Sequence, residues 1–148
     1  MTNLVVATDA IYAEWLTFQA GSAFSDLVAL FGNEDSSDGV KPEDADEAWF
    51  RVTFREAAGG RANLNGSGVG SRLYERLGFL SIQCFTPVNQ GQKAANEMAE
   101  AARDEFEDRR HATNTDIIYL NASIRAQPQD GKWYHVLLEI EVEVTDRK

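Results

Sequence analysis

The order of periodicities along the chain predicts an α+β fold, a largely antiparallel sheet with two main helices packed on it. Three observations carry that expectation. The N-terminal segment has helical spacing, the stretch from Tyr74 to Phe106 changes from strand to helix period across Pro87 to Gly91, and the last forty residues alternate on both sides of a turn.

The first element, roughly Thr2 to Ala20, sets Leu4, Ile11, Trp15 and Phe18 along one face, with Gly21 as its stop. The apolar run Leu27 to Phe31 reads as a short strand or a buried extended segment. From Glu34 to Glu47 seven acids face one base, Lys41, which predicts a solvated, flexible loop. Trp49 to Arg55 then alternates, Phe50, Val52 and Phe54 against Arg51, Thr53 and Arg55. A second segment, Ala57 to Ser71, holds five glycines in fifteen residues and reads as a mobile excursion between strands.

Arg72 to Thr86 predicts one long bent strand or a hairpin, because Gly78 interrupts it and glycine inside a strand marks a bulge or bend. A helix follows over about Gln92 to Arg110, its apolar face mostly alanine and its outer face carrying Arg103 with Glu107 and Glu105 with Arg109 at i,i+4 spacing. The closing hairpin alternates Ile118, Leu120, Ala122, Ile124 and Ala126, turns at Asp130-Gly131, and alternates again from Tyr134 to Val144.

The 148 residues, 43% of them hydrophobic, fit one domain with a real core. No apolar run approaches the ~20 residues that cross a bilayer, and no basic leader opens the chain, so a soluble protein made in a cytoplasm is expected. The single Cys84 lies in a strand pattern and reads as a small buried apolar residue. A net charge of −10 argues against wrapping nucleic acid.

Chemistry is sparsely signalled. The GSGVGSR loop lacks the lysine and hydroxyl of a phosphate-binding loop, and His111, His135 and Cys84 have no zinc spacing. An EF-hand alignment on Gly39 puts Ala45 where a bidentate glutamate is needed. No cofactor, no metal and no enzymatic activity are expected. One constellation stands out: Trp133, His135, Glu139, Glu141 and Glu143 share a strand face, with the carboxylates roughly 7 Å apart. Three like charges in a row need solvent or a basic partner. Arg51 and Arg55, or Arg72 and Arg76, are the candidates, within the chain or from a neighbouring subunit. These seven residues form the candidate subunit interface, and Arg51→Glu is expected to weaken self-association more than folding.

Arg76-x-Gly78-x-x-Ser81-x-Gln83-x-Phe85-Thr86-Pro87, followed by Gly91, Ala94, Ala95, Met98, Ala99 and Phe106, resembles the strand, turn and helix of tail terminator proteins of long-tailed bacteriophages. Tyr12 and Trp15, Phe31-Gly32-Asn33, the strand Trp49 to Phe54, and Asp130-Gly131-Lys132-Trp133-Tyr134 extend the resemblance over most of the chain. It implies a homo-oligomeric ring of about six copies at the head-proximal end of the virion tail, assembled in the host cytoplasm. Such a ring caps the tail tube protein, stops its polymerisation and presents the docking face for the head-tail connector, while genomic DNA passes through an acidic lumen without specific binding. One of the two flexible segments is expected to face the lumen or the next ring and to order on assembly. A neck or connector protein of the same kind of virion is the nearest alternative. A non-viral binding module is more distant.

Overall fold

A computed structural model describes residues 2–32, 46–61 and 73–147. Helix α1 (Leu4–Ala20) is followed by β1 (Val28–Phe31), β2 (Trp49–Arg61), β3 (Leu73–Pro87), a 3-10 turn (Val88–Gln90), α2 (Gly91–Phe106), β4 (Arg109–Arg110), β5 (Ile117–Ala126) and β6 (Trp133–Arg147). The strands form one six-stranded sheet in the order β1-β2-β3-β6-β5-β4. Only the β1–β2 pairing is parallel, so the sheet is largely antiparallel and the fold is α+β.

Helix α1 starts at Leu4 because Asn3 caps it, its side chain accepting the Val6 amide at 3.0 Å. Ala7, Ile11 and Trp15 are fully buried, whereas the first turn, Leu4 to Val6, is exposed; Leu4 is therefore not part of the buried stripe. Phe50, Val52 and Phe54 meet Leu80, Ile82 and Cys84 across β2 and β3, and Val136, Leu138, Ile140 and Val142 continue that layer on β6. Both helices lie against this face, the alanines of α2 allowing close approach. On the other face a smaller cluster joins Leu30, Trp49, Phe85 and Trp133, with Trp49 stacked on Phe85 at 4.1 Å.

Four sequence expectations are corrected. Helix α2 ends at Phe106 rather than Arg110, because Asp108 takes a left-handed conformation (φ 53°) and Arg109 and Arg110 pair with Tyr119 and Ile118. Arg103 consequently pairs with Glu100 at 2.6 Å instead of Glu107, while Glu105 keeps Arg109 at 2.7 Å. Strand β2 runs to Arg61, so Ala57 to Arg61, expected in the mobile excursion, are strand residues, Ala58 to Arg61 paired with β3; the remainder of that segment and nearly all of the acidic segment lie outside the described residues. In β5 an irregularity between Tyr119 and Ala122 shifts the phase, burying Ile117 and Tyr119 rather than Ile118 and Leu120.

Arg72 to Thr86 resolves in favour of one strand over its described part, Leu73–Pro87. Gly78 sits opposite Glu56, where β2 bulges between Glu56 and Ala58. A Cβ there would stand 2.6 Å from the Arg55 carbonyl oxygen and 2.8 Å from the Phe54 ring, so backbone has to move. Gly78→Ala is expected to destabilise by about 2 kcal/mol, in the range of overpacked sites; an unchanged urea midpoint would mean that the bulge absorbs the methyl group without strain.

Candidate subunit interface

The face of the sheet turned away from the helices carries most of the charged residues that the alternation predicts for it. Adjacent strands place Arg51, Gln83 and Leu137 in one row, Thr53, Ser81 and Glu139 in the next, and Arg55, Phe79 and Glu141 in a third. Glu143 lies beside Leu77 one row further. Arg51, Arg55, Glu139, Glu141 and Glu143 therefore share a face, as the alternation requires. Arg55 is two strands from Glu141, the carboxylate of its own row, roughly 9–10 Å between strand axes, with Phe79 of β3 between them, and the row of Arg51 holds no carboxylate. Glu139 is engaged instead by Arg125 of β5 at 3.4 Å, a residue outside the predicted set. Arg55, Glu141 and Glu143 make no ion pair among the described residues.

Of the four arginines, Arg76 does not share the face of the glutamates, and Arg51 also engages its own chain. Arg76 is on the helix-bearing face, between Glu56 at 3.0 Å and the buried Asp146 at 3.3 Å, because its register partner is Val144 of the core layer. Arg51 donates to the Gly32 carbonyl oxygen at 2.6 Å and lies over the Trp49 ring, tying β1 to β2. A charge reversal at Arg51 thus acts on the fold as well as on association. Arg72 lies outside the described residues. His135 is half-buried against Phe85 at 4.7 Å, and burial holds its imidazole below the ordinary histidine range, with Asp130 opposing the effect.

Two features lie outside the sequence expectations. The first is the outward side of α1. Among seventeen helical residues there is no base, and the two acids are Asp9 and the buried Glu14. Val5 is 67% and Leu16 52% exposed, with Leu4 and Val6 beside them. Apolar side chains exposed on the outer side of a helix are covered in an assembly more often than left to water; the low charge of LVVATDAIYAEWLTFQA is the signal that could have found it. Beside it, Leu16, Gln19, Ala20, Ser25, Leu27 and Ala29 line a cleft of about 220 Å³ between α1 and β1.

The second is a buried polar group that joins α1 to β4 and β5. Glu14 accepts from the Tyr119 hydroxyl at 3.1 Å and from the Arg109 guanidinium, which also reaches Glu105, and its carboxylate lies 2.8 Å from His111 Nε2. His111 Nδ1 accepts the Thr113 and Asn114 amides at 3.2 and 3.0 Å, so its hydrogen is on Nε2, which donates to the Ala10 carbonyl oxygen at 2.9 Å. Burial first, and the Glu14 charge second, push the Tyr119 phenol above its ordinary range and keep it a donor. These residues border clefts of about 410 and 210 Å³. Every oxygen of Glu14 and both nitrogens of His111 are committed to protein partners, which suits a staple between elements better than a group that waits for substrate.

No protein-family model matches the chain. No curated protein sequence matches it. Among solved structures, one protein whose name states no activity is 14% identical and superposes with a TM-score of 0.61 over 95% of this chain and 96% of its own. At that identity the likeness is one of fold.

Proposed function

We propose that this chain is a structural subunit that works as a ring, of the tail terminator kind: it caps a phage tail tube, ends its polymerisation and offers the face to which a head connector docks. The observation that carries this reading is the outward side of α1, where Leu4, Val5 and Val6 expose an apolar first turn, Leu16 is exposed again three turns on beyond Asp9, and the helix carries no base. A free monomer would present these apolar side chains to water; an assembly covers them. The resemblance of the Arg76 to Phe106 segment supplies the kind of assembly. The net charge of −10 suits a channel through which DNA slides without adhering.

The test is the native mass of the protein over a wide concentration range, with negative-stain images and sedimentation with isolated tail tubes. Closed rings, alone or on tube ends, are the expected result. Val5→Lys changes a side chain that contributes little to the core, so its melting midpoint should stay near that of the parent while assembly or tube binding falls at least tenfold, about 1.4 kcal/mol. A Val5→Lys protein that assembles and binds like the parent would remove α1 from the contact, and a chain that neither closes into rings nor sediments with tubes would end the terminator reading.

A further inference from the structure

We infer that copies join head to tail through the sheet edges, the outer side of β5 in one copy adding to the outer side of β1 in the next. This inference rests on the ring reading and names its contact. At one margin β4 covers only Ile118 and Tyr119 of β5. The turn after α2 takes two more groups, Asp108 N–H donating to the Leu120 carbonyl oxygen at 3.1 Å and Glu107 accepting the Ala122 amide at 2.8 Å. From Ser123 to Ala126 no described residue pairs with the outer side. At the other margin β1 is four residues long, Val28–Phe31, without charge or proline, and again no described residue pairs with its outer side. Neither edge carries the usual guards against strand addition beyond the single Arg125.

Direction, face and side-chain size agree. β1 runs with β2 and β6, and β5 runs against them. A second copy set beside the first in the same orientation therefore brings β5 against β1 antiparallel, without turning the sheet over. Repetition of that step is heterologous, and it closes into a ring when the rotation permits. Ile124 pairs with the buried Leu138 and Ala29 with the buried Phe50, so both project to the helix-bearing side. In the joined sheet Ile124 reaches the cleft of about 220 Å³ lined by Leu16, Ala20, Leu27 and Ala29. A two-fold pairing of β1 with β1 would leave two such clefts facing each other unfilled.

Ala29→Cys and Ile124→Cys combined in one chain, treated with a short bis-maleimide at concentrations where rings form and then run on a denaturing gel, test this. Cys84 is fully buried and its thiol is held protonated by that burial, so it stays silent. The expected result is a ladder reaching the ring size, absent from both single variants. A product that stops at dimer, or dimers from either single variant, would overturn the head-to-tail contact. So would rings of parental mass that yield no ladder, although these would leave the ring reading standing; a protein that is monomeric throughout, tail tubes included, overturns both. Should the double variant fail to fold, Ile124→Lys decides the same question: at least tenfold weaker assembly with retained circular dichroism supports the contact, and unaltered rings refute it.

Discussion

Glu14→Ala is expected to lower the folding free energy by about 3 kcal/mol, the cost of removing one member of a buried charged group. The loss does not come chiefly from Arg109, whose side chain is more than a third exposed and stays hydrated beside Glu105. It comes from Tyr119, which is fully buried and whose hydroxyl loses the carboxylate that accepts it, and from the space opened beside the buried His111, whose Nε2 lies 2.8 Å from that carboxylate. His111 retains the Ala10 carbonyl oxygen, which is why the figure sits at the lower end of the range for broken buried pairs. Glu14→Gln keeps one acceptor oxygen and should cost roughly half as much. The measurement is urea denaturation with the midpoint and the slope read separately: a shifted midpoint at constant slope reports stability alone. An Ala variant within a few tenths of a kcal/mol of the parent would mean that water enters the clefts beside Glu14 and satisfies the donors.

That cluster also marks the boundary of what a sequence makes legible. Glu14, the Arg109–His111 pair and Tyr119 come from three separated places, and no local period announces that they converge. Within elements far more can be read. Phe50-Val52-Phe54 and Val136 to Val144 alternate on a half-covered sheet, so their burial follows from a period of two residues, and the Asp130-Gly131 turn follows from glycine's access to positive φ at Gly131 (φ 58°). The end of α2 is hidden because Glu107 to Arg110 are all acceptable helix residues by propensity; what stops the helix is the pairing of Arg109 and Arg110 with β5, a tertiary gain. The phase change between Tyr119 and Ala122 is hidden for a related reason, since a bulge moves the buried positions by one residue while the composition stays apolar. Ala57 to Arg61 look flexible because glycine and alanine disfavour strands on their own, yet past the bulge at Ala57 each of Ala58 to Arg61 has a partner on β3. The charged face is legible as a face, since period-two spacing fixes sides. Its ion pairs are not, since spacing along one strand says nothing about how far away the neighbouring strand's charges lie.

Trp15→Ala is expected to cost about 4 kcal/mol, within the range for large aromatic truncations in a core. Trp15 is fully buried, with Phe106 stacked at 6.0 Å and Phe50 and Phe18 edge-on at 5.1 and 5.2 Å, so it is the common neighbour of α2, β2 and its own helix. Its indole also donates to Gln19 Oε1 at 3.0 Å. That bond orients the Gln19 amide, whose nitrogen donates to the carbonyl oxygens of Phe24 and Leu27 at 3.2 and 2.7 Å, the residues that lead the chain into β1. Trp15→Phe separates the two roles. It keeps most of the apolar volume, so its stability loss should be near half that of Ala, but it frees Gln19 and with it the approach to β1. Hydrogen exchange in Val28–Phe31 should therefore quicken at least tenfold in Trp15→Phe, while the central strands β3 and β6 change only by the global loss. If exchange in β1 accelerates no more than in β3, the indole hydrogen bond does not hold that strand in place. The coupling reaches function through β1 itself: the edge inferred to receive the neighbouring copy is set by a hydrogen bond from the centre of the core, so Trp15→Phe should assemble less readily than its stability loss alone would predict.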